Sequence, residues 1–216
     1  MELLTGFLDL LLHLDRHLLW VLQHYGLWIY ALLFLIVFVE TGLVVAPFLP
    51  GDSLLFVAGT LAAAGGLDVF AVGGLLIVAA ILGDSLNYTI GKYLGPKVFQ
   101  RPDGRFFKRE HLDRTHAFYD RHGGKTVVIA RFVPIVRTFA PFVAGIGRMP
   151  YPRFLAYNVG GAVLWVVSLV GAGYFFGNVP FIKNNLTAVI LGIIVLSLVP
   201  VFVETWRHRR RSISRR

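Results

Sequence analysis

Apolar residues run along this chain in long blocks separated by short polar stretches, with little alternation between the two. Four blocks reach the roughly 20 residues that a helix needs to cross a hydrocarbon core: Leu27 to about Val45, Phe70–Gly91, Phe154–Gly177 and Leu186–Val203. The first 26 residues follow a different pattern. Glu2, Thr5, Asp9, His13, Arg16 and Gln23 recur at helical steps and leave leucines on the other face. That pattern predicts an amphipathic helix over 1–26 lying in the membrane interface. No basic leader region or small-residue cleavage motif accompanies it, so a removed signal peptide is not expected.

Two further apolar stretches, about 44–64 and 127–147, resist a straight helix. Pro47 and Pro50 interrupt the first and Pro134 and Pro141 the second, with Asp52, Arg131 and Arg137 at their centres. Proline removes a ladder donor and clashes with the preceding turn. In lipid the freed backbone groups must be satisfied inside protein, so both stretches read as re-entrant hairpins. The distribution of basic residues favours this layout. With both hairpins re-entering, nine Lys/Arg in the 92–125 loop, Arg16, Arg148, Arg153 and six arginines of the 206–216 tail share the cytoplasmic side. Lys183 alone of the Lys/Arg outside the membrane then lies on the other side, as the positive-inside rule requires. The expectation is an all-α integral membrane protein: four spanning helices, two opposed hairpins, a membrane domain over 27–205, a cytoplasmic loop at 92–125 and both termini in the cytoplasm.

Composition agrees. Of 216 residues, 56% are hydrophobic and 15% charged, with a mean hydropathy of +0.68. A soluble domain carries about a quarter of its residues as charges. There is no cysteine, which excludes disulfides, thiolate metal sites and thiol nucleophiles. The net charge of +9 reads as contact with anionic lipid rather than nucleic acid. Pro47-Phe48-Leu49-Pro50-Gly51 is echoed by Pro141-Phe142-Val143-Ala144-Gly145, and Tyr88-x-x-Gly91 by Tyr174-x-x-Gly177. Two such hairpin-plus-helix halves predict an inverted repeat. Gly91-x-x-x-Gly95 and Gly173-x-x-x-Gly177 permit close helix contact, within the chain or in a homo-oligomer.

Five ionisable residues fall at membrane depth: Glu40, Asp52, Asp84, Arg131 and Arg137. An Arg or Asp there costs about 2.5–3.5 kcal/mol on insertion scales and marks a candidate site. One reading pairs them off as structural salt bridges. The other starts from Arg131-Phe132-Val133-Pro134-Ile135-Val136-Arg137, where a proline break turns both guanidiniums inward. Arginine's planar fork grips carboxylate or phosphate through two bonds. Arg131 and Arg137 then form an anion clamp near the midplane, which Glu40 and Asp52 neutralise when it is empty. Burial and a neighbouring guanidinium act oppositely on a carboxylate, as proton coupling needs.

At these residues a resemblance becomes specific. Glu40-Thr41-Gly42, Pro47-Phe48-Leu49-Pro50-Gly51-Asp52, Gly83-Asp84 with Asn87-Tyr88, Arg131-Phe132-x-Pro134-x-x-Arg137 and Pro141 to Gly145 closely resemble the bacterial DedA family, with its SNARE-associated or VTT-type domain. The resemblance covers about residues 20–205. It implies inner-membrane proteins with two opposed re-entrant hairpins, tied to envelope homeostasis and to proton-dependent transport, undecaprenyl phosphate being the implicated lipid. It places the family's acidic pair on Glu40 and Asp52, for proton coupling or gating. The arginine pair falls on Arg131 and Arg137. Asp84, Asn87, Pro47, Pro50, Gly51, Pro134, Pro141 and Gly145 stand as supporting positions. A proton-coupled small-ion antiporter and a non-transporting scaffold are the alternatives.

Other signals carry less. His111, His116 and His122 are spaced by five and six residues, unlike metal ligands on one helical face. His116-x-x-x-Asp120 lacks the rest of a lipid-phosphatase signature, and no nucleophile elbow, P-loop or zincin motif occurs. No enzyme activity, cofactor or metal is expected. Trp28, Tyr30, Trp165, Tyr174 and Trp206 read as interface anchors and packing.

Overall fold

A computed structural model of the chain describes residues 24–43, 51–99 and 124–177, together with positions 20, 179, 180 and 192; for 95–99, 134 and 135 it describes the backbone alone. Most of the amphipathic 1–26 segment, Pro47, Pro50, the three loop histidines, nearly all of the 186–203 span and the 206–216 tail lie outside the described residues. Among those described, every element is helical: α1 (Trp28–Gly42), α2 (Gly51–Ala63), α3 (Val69–Phe99), α4 (Lys125–Ala130), α5 (Pro134–Ile146) and α6 (Tyr151–Phe176). Two of them carry apolar runs long enough to cross a membrane, Val69–Leu94 and Tyr151–Phe176. Their outward faces expose Val78, Leu82 and Leu86 on α3 and Val163, Leu164 and Val167 on α6. A helix apolar on every side needs lipid or a core around it.

The direction of α1 differs from the expected crossing at 27–45. The Tyr30 hydroxyl accepts the Asp68 N–H at 2.9 Å, beside the α2–α3 corner. Twelve residues later, Gly42 meets the backbone of Gly83 near the middle of α3. The two helices therefore run parallel, and α1 stops half-way along its neighbour. Its 15 residues span about 22 Å, short of the roughly 30 Å core. The chain then returns through α2 to the same corner. Hence α1 and α2 are two arms of one helix–break–helix unit, and the helical part of the 27–45 stretch, Trp28–Gly42, is shorter than the expected crossing needs. An apolar run looks the same in a crossing helix and in a re-entrant arm. At the other end α3 continues to Phe99, so Lys92–Phe99 extends the helix into what was expected to be loop.

The second half is built alike. The arm α4 runs alongside its own long helix, with Gly161 of α6 against Val128 and Arg131. The break falls at Arg131–Val133. Val133 is extended, as the residue before proline must be, and Pro134 opens α5 where its missing N–H costs nothing. Pro141 makes no break; it sits inside α5. In both halves the second arm packs across onto the other half's long helix, α2 on α6 and α5 on α3.

The four crossover contacts correspond pairwise. A Cβ on Gly59 would strike the Val170 carbonyl oxygen, and one on Gly173 would strike that of Phe56. Likewise Gly145 lies on the Tyr88 carbonyl and Gly91 on that of Phe142. The corners after α2 and α5 match too. Gly65 and Gly66 donate to Ala62 and Leu61, and Arg148 and Met149 to Gly145 and Ala144, the hydrogen bonds of a Schellman motif. The equivalence thus pairs Phe56-x-x-Gly59 with Phe142-x-x-Gly145 and Val170-x-x-Gly173 with Tyr88-x-x-Gly91. The echoes legible in the sequence, Gly51 with Gly145 and Gly91 with Gly177, are out of this register.

A core of Ile29, Leu33, Val37, Leu54, Val72, Leu76, Val166 and their neighbours fills the space among α1, α2, α3 and α6. A smaller cluster of Tyr88, Val127, Ala144, Met149 and Phe154 closes the opposite end. That end carries Lys92, Lys125, Arg148 and Arg153. The Asp68 end carries no Lys or Arg among the described residues.

Candidate functional site

The broken tips of both units meet between the long helices, and every charged residue expected at depth is found there. Arg137, in the first turn of α5, forks between two carboxylates. One guanidinium nitrogen donates to Asp52 Oδ1 at 2.6 Å, and the other to Glu40 Oε1. Glu40 closes α1 and is wholly buried, whereas the Asp52 side chain is 20% exposed. Asp52 lies in the first turn of α2, where the helix dipole favours a carboxylate. The Gly51 N–H donates to Glu40 Oε1 at 3.2 Å, and a Cβ at Gly51 would fall on that carboxylate. Glycine is required there so that the start of α2 can close over Glu40.

Arg131, in the break itself, pairs with Asp84 on α3 and donates to Asn158 Oδ1 on α6 at 2.7 Å. The same Asn158 donates through Nδ2 to the Ile81 carbonyl at 3.1 Å, which fixes its amide. Asn87, one turn beyond Asp84, donates to the carbonyls of Thr41 at 3.1 Å and Thr138 at 2.7 Å. It ties the end of α1 to α5. Gly83 permits this approach, because any Cβ there would strike Thr41 Oγ1.

Trp165 stands at the centre. The guanidinium carbons of Arg137 and Arg131 lie 5.1 and 5.8 Å from its ring, within cation–π range. Its indole N–H donates to Asp52 Oδ1 at 2.9 Å. A small cavity beside it is lined by Thr41, Asp84, Val127, Arg131, Arg137, Pro141 and Trp165. Arg131 Nη1 and Arg137 Nε are buried without hydrogen bonds to the described residues. Three carboxylates face two guanidiniums, so the fully ionised cluster keeps one negative charge in excess.

Glu40, Asp52, Arg137 and Gly51 are thus brought together, and Arg131, Asp84 and Asn87 join them from the adjoining side. Gly145 is elsewhere, at the α3–α5 crossing, and Pro134 acts by opening α5. The two arginines do not share one carboxylate pair: Arg131 is held by Asp84. Trp165 and Asn158 were missed. The sequence context of Trp165 reads as interface anchoring or packing; it is 1% exposed and mid-helix, so it packs, but its contacts with the charged cluster were not expected. Its place near the centre of the 154–177 run, rather than at an end, was the available signal. For Asn158 it was a polar amide inside an apolar span.

Comparison with known proteins adds three relatives. A family model described as the VTT domain matches residues 49–175, which include every charged residue of the cluster except Glu40. The chain is 56% identical over 212 residues to Protein DedA of Escherichia coli K12, covering 97% of each. It is 46% identical over 180 residues to the uncharacterized membrane protein ML0287 of Mycobacterium leprae, covering 83% of this chain and 80% of that one. Inner membrane protein YghB of E. coli K12 is 35% identical over 170 residues, 79% and 78% of the two chains. No solved structure matches.

Proposed function

This chain belongs to the DedA family of VTT-domain membrane proteins, and from that premise we propose that it carries the phosphate headgroup of a polyprenyl lipid, undecaprenyl phosphate, across the inner membrane in a proton-dependent manner. The observation that carries the reading is the fork of Arg137 between Glu40 on α1 and Asp52 on α2. Both carboxylates occupy bonds that a phosphate's oxygens could take with the same geometry. Asp52 is the more exposed of the two and is the one displaced. The unused Arg137 Nε and Arg131 Nη1 offer further donors to the arriving anion. The arriving anion adds negative charge beside the carboxylate that stays, Glu40, which favours proton uptake there, so that lipid phosphate and proton occupancy rise together. The lipid tail stays in the bilayer throughout.

Set in a membrane, the α1–α2 and α4–α5 units are re-entrant and approach the site from opposite faces. Opening one or the other exposes the cluster to one side only, which is what alternating access requires. The end bearing Lys92, Lys125, Arg148 and Arg153 faces the cytoplasm by the positive-inside rule, and the Asp68 corner faces outward. The same rule favours a cytoplasmic side for the six arginines of the 206–216 tail. The chain acts as a carrier without enzymatic chemistry.

The test is translocation of labelled undecaprenyl phosphate in proteoliposomes, with and without a pH gradient. Gradient-dependent movement of the lipid supports the reading. Ion exchange without lipid movement replaces it with a small-ion antiporter, and neither activity leaves a scaffold.

A further inference from the structure

The fork at Arg137 leaves a question of competition. An incoming phosphate must take one bond from Asp52, yet Asp52 is tethered nearby on α2 and at high effective concentration. Unless something else holds that carboxylate, it returns to Arg137 and expels the anion. Trp165 meets the requirement. Its indole N–H already donates to Asp52 Oδ1, the same oxygen that accepts from Arg137. The bond to Trp165 does not depend on Arg137, because it comes from α6 whereas the guanidinium comes from α5. The ring has a second contact with the system: both guanidiniums lie over it, which fixes the indole's plane and so the direction of its N–H. Trp165 itself is buried among Val166, Ala162 and Leu55, leaving it little freedom to turn.

We propose that Trp165 is a positioning residue for lipid-phosphate binding, whose indole N–H holds Asp52 aside when a phosphomonoester takes Arg137. The inference rests on the function proposed above and names a residue through which it works. Trp165 touches the carboxylate and the arginines but need not touch the phosphate. Its chemistry is specific to the N–H: the aromatic face alone offers the Asp52 carboxylate no hydrogen bond.

Binding to purified protein in detergent tests this, with farnesyl phosphate as the lipid probe and inorganic phosphate as the control for a free anion. Trp165→Phe keeps a ring and loses the donor; benzothienylalanine at 165 keeps the indole shape and loses only the N–H. Both should bind farnesyl phosphate roughly ten-fold more weakly, the effect of one hydrogen bond to a charged group. In an Asp52→Asn background, where no carboxylate competes, the same changes at 165 should alter affinity by less than about two-fold. An equal loss in both backgrounds would make Trp165 a packing residue and overturn the proposal, as would unchanged affinity with benzothienylalanine. If Trp165→Phe does not fold, the benzothienylalanine protein decides alone. Wild-type protein that binds neither probe would instead defeat the lipid-phosphate reading itself, and binding of both probes alike would assign the site to phosphate as such.

Discussion

The hydroxyl of Tyr30 accepts the backbone N–H of Asp68, so the beginning of α1 and the corner between α2 and α3 lie at one end of the molecule. That single contact fixes the direction of α1 relative to α3. A helix that crossed the bilayer between 27 and 45 would have put Tyr30 and Asp68 on opposite faces.

The side of the membrane on which each position sits follows directly. The chain has no cysteine, so single cysteines can be introduced without background. Substitutions at Trp28 and Asp68 should react with an impermeant thiol reagent from the outside of intact cells. Substitutions at Lys92 and Arg148 should react only after permeabilisation. Labelling of position 28 from the cytoplasmic side with 68 labelled from outside would restore α1 as a crossing helix.

The carboxylates should differ in how far they can be spared. Arg137 has two, so Glu40→Gln or Asp52→Asn leaves it one partner. Each should insert at near-normal abundance while losing transport, and the double variant should lose abundance. Asp84→Asn removes the carboxylate paired with Arg131 and leaves it, among the described residues, the neutral amide of Asn158 and the Trp165 ring. An uncompensated buried charge costs about 3–5 kcal/mol. Asp84→Asn should therefore lower membrane abundance more than either other single change, as read by quantitative blotting of membrane fractions.

Glycines separate by what a methyl group would meet. At Gly59, Gly91, Gly145 and Gly173 it would strike a backbone carbonyl on the facing helix, which cannot yield as a side chain does. Alanine at any of these should destabilise by about 1–3 kcal/mol. Gly73, Gly74, Gly160 and Gly171 have nothing within 4 Å. Alanine there should be neutral or gain up to about 1 kcal/mol of helix propensity. Arg148 belongs to the same comparison: its φ of 50° occupies the left-handed position that Gly65 fills at 80°. Arg148→Gly should stabilise by about 1 kcal/mol. Thermal unfolding in detergent measures all nine.

The charged residues of the site were legible because ionisable groups have few reasons to occupy an apolar run, and Pro134 disclosed the break that turns Arg131 and Arg137 inward. Their pairing was not legible. Nothing in the sequence tells that Arg131 meets Asp84 on α3 while Arg137 takes both carboxylates from α1 and α2, since each partner is reached across a helix–helix crossing. The same limit hid Trp165 and the true register of the repeat. The glycines that define it face backbone carbonyls 50 or more positions away, and a short proline-rich echo elsewhere was easier to see. Hydropathy likewise gives the length of an apolar segment but not its direction, so α1 passed as a span.

The pairing makes the two arginines unequal, and lysine exposes the difference. Arg137 uses separate guanidinium nitrogens for Asp52 and Glu40, on two different helices. An ammonium on a flexible stem supplies a point charge and cannot hold that spread fork. Arg137→Lys loses one of two charge-assisted bonds, each about 1.5–3 kcal/mol, which corresponds to about one to two orders of magnitude in affinity for a bidentate phosphate. Arg131 reaches both Asp84 and Asn158 through the same nitrogen. A lysine ammonium has three donors at one point and can serve both partners, so Arg131→Lys should keep abundance and lose less than about ten-fold in lipid-phosphate binding. The measurement is farnesyl phosphate binding by each variant at matched folding. Equal losses would mean that the two arginines grip the phosphate as one clamp. Wild-type affinity in Arg137→Lys would remove the fork from the mechanism and leave Arg137 a counter-ion to Glu40 and Asp52.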